Sequence, residues 1–279
     1  MAQPSPSSKL ISTAKSTAQF DCVIDAGNTN VKIAFFDNND LQIGKTISSP
    51  YSHNWVADII TKNKNKIAHT IYSSVRNDDT KTINWLQQDK NFHLLSLKSK
   101  MPFINKYATP ATLGNDRKAN MAAATAIAPN KNVLVIDAGT CIKLDMLQAD
   151  NTYFGGAIHP GIDMRYKALH DYTGKLPLLG MNEKKTKKLT GNRSSVSNTE
   201  FELVIGTTTE QSMRAGVEIA TVNEIKSCIL AYRKKCKNLQ TIITGGDMRF
   251  FAEQMNFTFA IPNLTLKGLH TILKINMNE

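Results

Sequence analysis

VIDAGNTNVK, from Val23 to Lys32, returns as VIDAGTCIKL from Val135 to Leu144. In each copy an apolar run ends in an aspartate, Asp25 or Asp137, and continues into a glycine and small polar residues. The run predicts a buried strand, and the glycine lets the backbone pass close to a ligand. The two aspartates lie about one domain length apart. Two such strand-to-turn units imply an internal duplication built around a phosphate and a metal ion.

The surrounding pattern repeats as well. FDCVIDAG, NVKIAFFD and LQIGKTIS predict three strands between Phe20 and Pro50, with a turn at Asn38, Asn39 and Asp40. A helix over Trp55–Lys62, a strand HTIYSSV (His69–Val75), a helix over Asp79–Gln88 and a strand FHLLSL from Phe92 follow. After a loop carrying Pro102 and Pro110, a helix from Asn115 stops at Pro129. NVLVIDAG, TCIKLDML and TYFGGAI then form a second meander, turning at Asp150 and Asn151.

A helix after Gly161, a long helix over Thr209–Lys235, the strand LQTIITGG, a short helix, FTFAIP and a C-terminal helix complete the chain. In the long helix Met213, Ile219, Val222, Ile225, Ile229 and Tyr232 mark the apolar face. Three strands followed by alternating helices and strands, twice over, is the plan of a duplicated actin-like (ribonuclease H-like) α/β fold. That is the superfamily of the acetate and sugar kinases, the heat-shock ATPases and actin. It predicts an N-terminal domain over 20–129 and a C-terminal domain over 130–279, with the active site in the cleft between them. Residues 1–19, rich in Ser, Thr and Ala, read as a disordered N-terminal extension.

Bulk properties narrow the function. The 279 residues are 41% hydrophobic, yet no apolar run reaches the roughly 18 residues of a membrane span, so no membrane partner is expected. The N-terminus has no apolar core, which excludes a secretory signal. Cys22, Cys141, Cys228 and Cys236 show no metal-ligand spacing and read as reduced thiols in a cytoplasmic protein. The net charge of +11 concentrates in Lys184, Lys185, Lys187, Lys188 and Arg193, in Lys62, Lys64 and Lys66, and in Arg233, Lys234, Lys235 and Lys237. No aromatic-interleaved groove or nucleic-acid motif accompanies it, so a solvated loop and two helix ends explain it better than a nucleic-acid partner.

Chemistry concentrates in a few stretches. DAGNTNVK joins two strands, unlike a Walker loop, and no GxxxxGK[ST] occurs. Asn28 and Thr29 could cradle phosphate oxygens, Asp25 could hold Mg²⁺ through water, and Lys32 could neutralise phosphate charge. A plain hairpin would use the same Gly-Asn pair. LGNDRKANMAAA places Asp116 and Arg117 in the first turn of a helix, where the dipole favours anions. An aspartate beside an arginine suits a proton acceptor with a carboxylate clamp, although an ordinary cap would look alike. GGAIHPGIDM and TGGD (Thr244–Asp247) offer close backbone passage at strand ends, and TGGD falls where actin-like proteins contact adenosine. GTTTEQSMRAG starts a helix at Thr207–Thr209, where capping uses one or two hydroxyls and leaves one for substrate. The six histidines show no metal or triad spacing, and His159 reads as structural.

Together and in this order, DAGNTNVK, YATPATLGNDR (Tyr107–Arg117), VIDAGT, YFGGAIHPGIDM, GTTTEQSMRAG and ITGGD resemble the type III pantothenate kinases from Asp21 to the last helix. The resemblance implies ATP-dependent phosphorylation of the terminal hydroxyl of pantothenate, the entry step of coenzyme A synthesis. It also implies a homodimer that needs Mg²⁺ and a monovalent cation, K⁺ or NH₄⁺.

By that resemblance Asp25, Ala26, Gly27, Asn28, Thr29, Asn30, Val31 and Lys32 form the ATP phosphate loop, and Thr140 is a further ATP contact. Asp116 is the proton acceptor. Gly114, Asn115, Asp116 and Arg117 bind pantothenate together with Tyr107 and Thr209. Asp137 ligates the monovalent cation and Asp25 the Mg²⁺. Three features depart from the family pattern: Cys141 and Lys143 after the second VIDAGT, a long basic loop over 183–198, and the N-terminal extension. Two other readings compete, a non-catalytic pantothenate-kinase-like transcriptional regulator and another actin-like small-molecule kinase.

Overall fold

The computed structural model describes residues 19–27, 30–181 and 205–277. The extension, the lysine loop, and Asn28 and Thr29 of the first turn therefore lie outside the described residues. The chain divides into two compact units. One holds the residues up to Met101 together with Gly114–Ala119 and Thr265 onward, and the other holds Pro102–Leu113 and Asn120–Leu264. These units are not divided by a single cut at 129/130, since Pro102–Leu113 and residues 120–129 group with the second and the last helix from Thr265 groups with the first.

The first unit is built on five strands: β1 (Phe20–Ala26), β2 (Asn30–Phe36), β3 (Gln42–Pro50), β4 (Ile67–Ser74) and β5 (Phe92–Leu94). Their order is β3-β2-β1-β4-β5, with β2 antiparallel to both β1 and β3, and β4 parallel to β1 and β5. β1 is apolar because it is central: Cys22, Val23, Ile24 and Ala26 are fully buried and only Asp21 and Asp25 interrupt the run. Helices α1 (His53–Asn63) and α2 (Thr80–Leu86) supply Val56, Ile60 and Leu86 to its core.

α1 starts where Ser52 caps it by accepting the N–H of Trp55. The C-terminal helix, Leu264–Met277, sends His270 to Asp21, with Nε2 and Oδ2 2.9 Å apart, and stacks the ring on Phe36 at 4.6 Å. His69 binds the other oxygen of Asp21 at 3.0 Å. Burial pulls the Asp21 carboxyl upward, and the hydrogen bonds from His270 and His69 outweigh it, so the group is held below its ordinary range.

The second unit repeats that sheet with β7 (Val133–Ala138), β8 (Cys141–Leu147), β9 (Thr152–Pro160), β10 (Gln240–Thr244) and β11 (Phe259–Ala260). The order is β11-β10-β7-β8-β9, the first sheet's connectivity, with one addition beyond β9. The addition is β6 (Ile104–Asn105), a two-residue strand parallel to β9 that the proline-flanked loop concealed. FHLLSL and FTFAIP pair over only three and two residues. The predicted turns hold: Asp40 and Asn151 take φ of 64° and 60°, as short polar residues tolerate. α3 (Asn115–Ile127) and α4 (Ile162–Asp171) occupy the predicted places, and α7 (Met248–Gln254) and α8 (Leu264–Met277) follow β10 and β11.

The long helix is not uniform. It runs as α5 (Thr209–Arg214), a π-helical turn over Ala215–Ile219, and α6 (Ala220–Lys235). The core takes Met213, Val217, Val222, Ile225 and Ile229, leaving Ile219 half-buried, so the expected assignment of Ile219 to the inner face is corrected. The spacing from Val217 to Val222 is one residue too long for an α-turn, and the wide turn absorbs it. The same turn buries Glu218, which accepts from Arg214 Nη1 at 2.8 Å and from the Tyr166 hydroxyl at 2.6 Å. Arg214 also donates to Glu210 at 3.1 Å. Desolvation pushes the Tyr166 hydroxyl well above its ordinary range.

Removing one partner of such a pair strands the other charge. Arg214→Ala is expected to lower unfolding free energy by ~3–5 kcal/mol, whereas Arg214→Met with Glu218→Leu recovers most of the loss; urea unfolding of both variants checks this.

Candidate functional site

In the first unit the candidate side chains gather at the carboxyl ends of the parallel pair β1 and β4. Gly27 N–H donates to Asn30 O at 3.0 Å and closes the turn between β1 and β2. Asp25 stands directly across from Lys32 in the β1–β2 register. Ala26 and Val31 are buried beneath the loop, while Lys32 is exposed and available to an anion. Val75 N–H binds Ala26 O at 3.2 Å, so the chain leaving β4 is pinned to the loop.

Arg76 adds a second pin. Its Nη1 donates to Gly27 O at 3.2 Å, its Nε and Nη2 grip Asp78 at 2.7 Å each, and its guanidinium lies 4.4 Å over the Tyr51 ring. The Asp78 carboxylate raises the Arg76 pKa.

The start of α3 joins the same end of the sheet. Asn115 Nδ2 donates to Ser74 O, the last residue of β4, at 3.2 Å. Asp116 is in the first turn, where its Oδ1 accepts the Arg117 N–H at 2.8 Å. Arg117 and Lys118 are nearly fully buried, an uncommon place for two cations. Lys118 reaches Asn115 Oδ1 at 3.2 Å, and burial pulls its pKa down. The fold thus brings Asp25–Gly27, Asn30–Lys32 and Gly114–Arg117 together.

In the second unit Asp137 ends the buried run of β7 and faces Lys143 across the β7–β8 register. The ammonium and Asp137 Oδ2 are 2.8 Å apart, with the side chains 19% and 15% exposed. Asn120 Nδ2 approaches the same oxygen at 3.3 Å. Thr140 is exposed at the turn, and its carbonyl accepts the Gly161 N–H at 3.1 Å. Beside it, Gly245 takes φ of +97°, and a Cβ there would fall 2.1 Å from Ala138 O, so only glycine permits this approach. Asp247 N–H then binds Ala138 O at 3.0 Å. Burial, aided by the charge of Asp163, pushes the Asp247 carboxyl up to about 6.

Tyr107 and Thr209 complete the second unit's set. Tyr107 stacks on Tyr153 at 6.2 Å between centroids, and Tyr153 donates its hydroxyl to the buried Asp145 at 2.7 Å. Gly155, at φ +125°, leaves the space in which the Tyr107 ring lies, since a Cβ would come within 2.9 Å of it. Thr208 caps α5 by accepting the Gln211 N–H at 3.2 Å, and Thr207 Oγ1 donates to the Gln211 side chain at 2.7 Å. That leaves Thr209 exposed on the rim of a cavity of ≈ 610 Å³, whose apolar wall is Leu169, Leu176 and Met213. His159 pairs with Glu224, which also binds Arg165 at 2.7 Å.

The model of the type III pantothenate kinase family matches residues 22–231. The chain is 39% identical to the type III pantothenate kinase of Christiangramia forsetii over 92% of this chain and 99% of that one. It is 36% identical to that of Flavobacterium psychrophilum over 89% and 96%. The chain belongs to the type III pantothenate kinase family.

Solved structures agree on the fold. A conserved putative Baf family transcriptional activator from Campylobacter jejuni superposes with a TM-score of 0.57 at 22% identity, covering 92% of this chain and 100% of that one. A putative 2-dehydro-3-deoxygalactonokinase from Sinorhizobium meliloti gives 0.52 at 12% identity, covering 92% and 97%. The actin-like, sugar-kinase-type architecture is therefore shown.

Sequence reasoning missed Arg76, Lys118 and Asn120. Arg76 left one usable signal, its place just beyond a strand that runs parallel to the first VIDAG. Asn120 lies four residues after Asp116, one turn along α3.

The Asp247 carboxyl titrates above the ~3.9 of an unfolded aspartate, so the folded protein holds a proton that the unfolded chain has released. Its contribution is full below that unfolded value and is lost as pH rises through about 6. Asp247→Asn is expected to flatten the fall in urea midpoint between these two values; an unchanged slope would assign the pH dependence elsewhere.

Proposed function

We propose that the protein transfers the γ-phosphoryl group of ATP to the terminal hydroxyl of pantothenate, giving 4′-phosphopantothenate at the entry to coenzyme A synthesis. The observation that carries this is the joining of the Asp25–Lys32 loop to the Gly114–Arg117 helix start at one sheet end, within a chain of this family.

Phosphoryl transfer depends mostly on positioning and charge neutralisation. The backbone of the Asp25–Lys32 turn cradles the phosphates, with Lys32 offsetting their charge. Asp116 accepts the proton of the attacking hydroxyl as the new P–O bond forms and ADP leaves. Arg117 clamps the pantothenate carboxylate, and Gly114 and Asn115 shape the same pocket. Tyr107 and Thr209 contribute further substrate contacts, Thr209 through the hydroxyl that capping leaves unused. Thr140 contacts the nucleotide.

Asp25 would hold Mg²⁺ together with nucleotide phosphates and water. When bound there it neutralises phosphate charge. A monovalent positive charge belongs beside Asp137.

We also propose a homodimer in the cytoplasm. Phe154 and Ile158 project from one face of β9, 59% and 62% exposed, and a second copy could cover them. The four cysteines are free, in keeping with a reducing compartment. No described helix is long and apolar enough to cross a membrane.

The regulator reading rests on the net charge and the lysine-rich loop, and the retained Asp25, Asp116, Arg117 and Asp137 weigh against it. For another small-molecule kinase, substrate competition decides.

Asp116→Asn is expected to cut pantothenate-dependent ADP release by at least about 10²-fold with the fold intact by circular dichroism. Near-normal turnover would remove Asp116 as the base. Arg76→Ala loosens the phosphate loop and is expected to raise KM for ATP about tenfold while kcat falls less, a split that steady-state kinetics reads directly.

A further inference from the structure

We infer that Lys143 itself carries the monovalent positive charge beside Asp137, so that the reaction proceeds without K⁺ or NH₄⁺. This rests on the kinase reading given above and concerns how one part of it is met.

The geometry follows from strand register. Asp137 and Lys143 are direct partners in the β7–β8 ladder, on one face of the sheet and at neighbouring positions. The ammonium lies 2.8 Å from Asp137 Oδ2, and both side chains are largely shielded from water. Solvent screens such a pair weakly. Asn120 holds the same oxygen at 3.3 Å, so the carboxylate is oriented from a second side. A K⁺ ion bound at this oxygen would have to displace the ammonium or sit against a fixed like charge. The donor set therefore does not fit a separate monovalent cation.

It does fit a tethered one. An alkylammonium has the charge of K⁺ or NH₄⁺, and it presents N–H donors to carboxylate and phosphate oxygens alike. The first repeat has the same register, with Lys32 across from Asp25 in the β1–β2 ladder. Both copies thus set a lysine opposite the aspartate at the penultimate position of the central strand. Lys143 is a positioning residue here: it acts by holding Asp137 and supplying a fixed charge.

The test compares the full-length protein with Lys143→Thr and Lys143→Arg. Threonine suits a strand and removes the charge, whereas arginine keeps it. Pantothenate-dependent ADP release and ATP affinity by calorimetry are measured in KCl, NH₄Cl and tetramethylammonium chloride at equal ionic strength. For the unmodified protein both quantities are expected to agree within about twofold across the three salts. Lys143→Thr should lose at least about tenfold in tetramethylammonium and regain it in K⁺ or NH₄⁺, while Lys143→Arg stays independent of the salt.

A tenfold or greater dependence of the unmodified protein on K⁺ would overturn the inference. So would a Lys143→Thr variant no more salt-dependent than its parent. Absence of turnover in every salt would count against the kinase reading instead, and the ATP affinities would still decide the role of Lys143.

Discussion

Each sheet depends on a carboxylate placed at the carboxyl end of a buried central strand. β1 and β7 are apolar almost throughout, as strands covered on both faces must be, and a charge in their middle would lack water and partners. At the penultimate residue that constraint relaxes, because the strand is leaving the core. Asp25 and Asp137 stand there, half-buried, each with a lysine opposite on the next strand. The antiparallel hairpin sets that juxtaposition, since its register decides which residues face one another across the turn.

The other site groups are arranged around this edge. The carboxyl end of β4 runs parallel to that of β1, so the chain leaving it supplies Arg76 to buttress the first loop and Ser74 to anchor the start of α3. β10 runs parallel to β7, and the chain leaving it brings Gly245–Asp247 against Ala138. Ligand sites in open α/β sheets form at such edges because helix starts and strand ends converge there. The duplication therefore gives two edges of the same design, and the side chains added to each make them different.

Far from these edges, the π-helical turn shows how packing corrects a local pattern. Ile219 continued an apparent helical period, yet Val217 and Glu218 take the interior. The cost of burying Glu218 is offset by Arg214 and the Tyr166 hydroxyl. A periodicity argument sees apolar residues and has no means of expecting a buried acid whose partners lie on its own helix and on α4.

The sequence by itself determined the architecture, because strand and helix periods and the two VIDAG copies are local signals. It also marked the turn after Asp25, the Asp116–Arg117 helix start and the second aspartate as candidates, through glycine and polar neighbours within ten residues. Tertiary structure decided the rest. It decided that Arg76 grips Gly27, that Lys118 and Arg117 are buried, that β6 adds to the second sheet and that α8 returns to Asp21. Above all, it decided that Lys143, which in the sequence is a departure from a motif, is the cation paired with Asp137. Such partners are fixed by strand register and by contacts between distant segments, and neither leaves a trace in the spacing of residues along the chain.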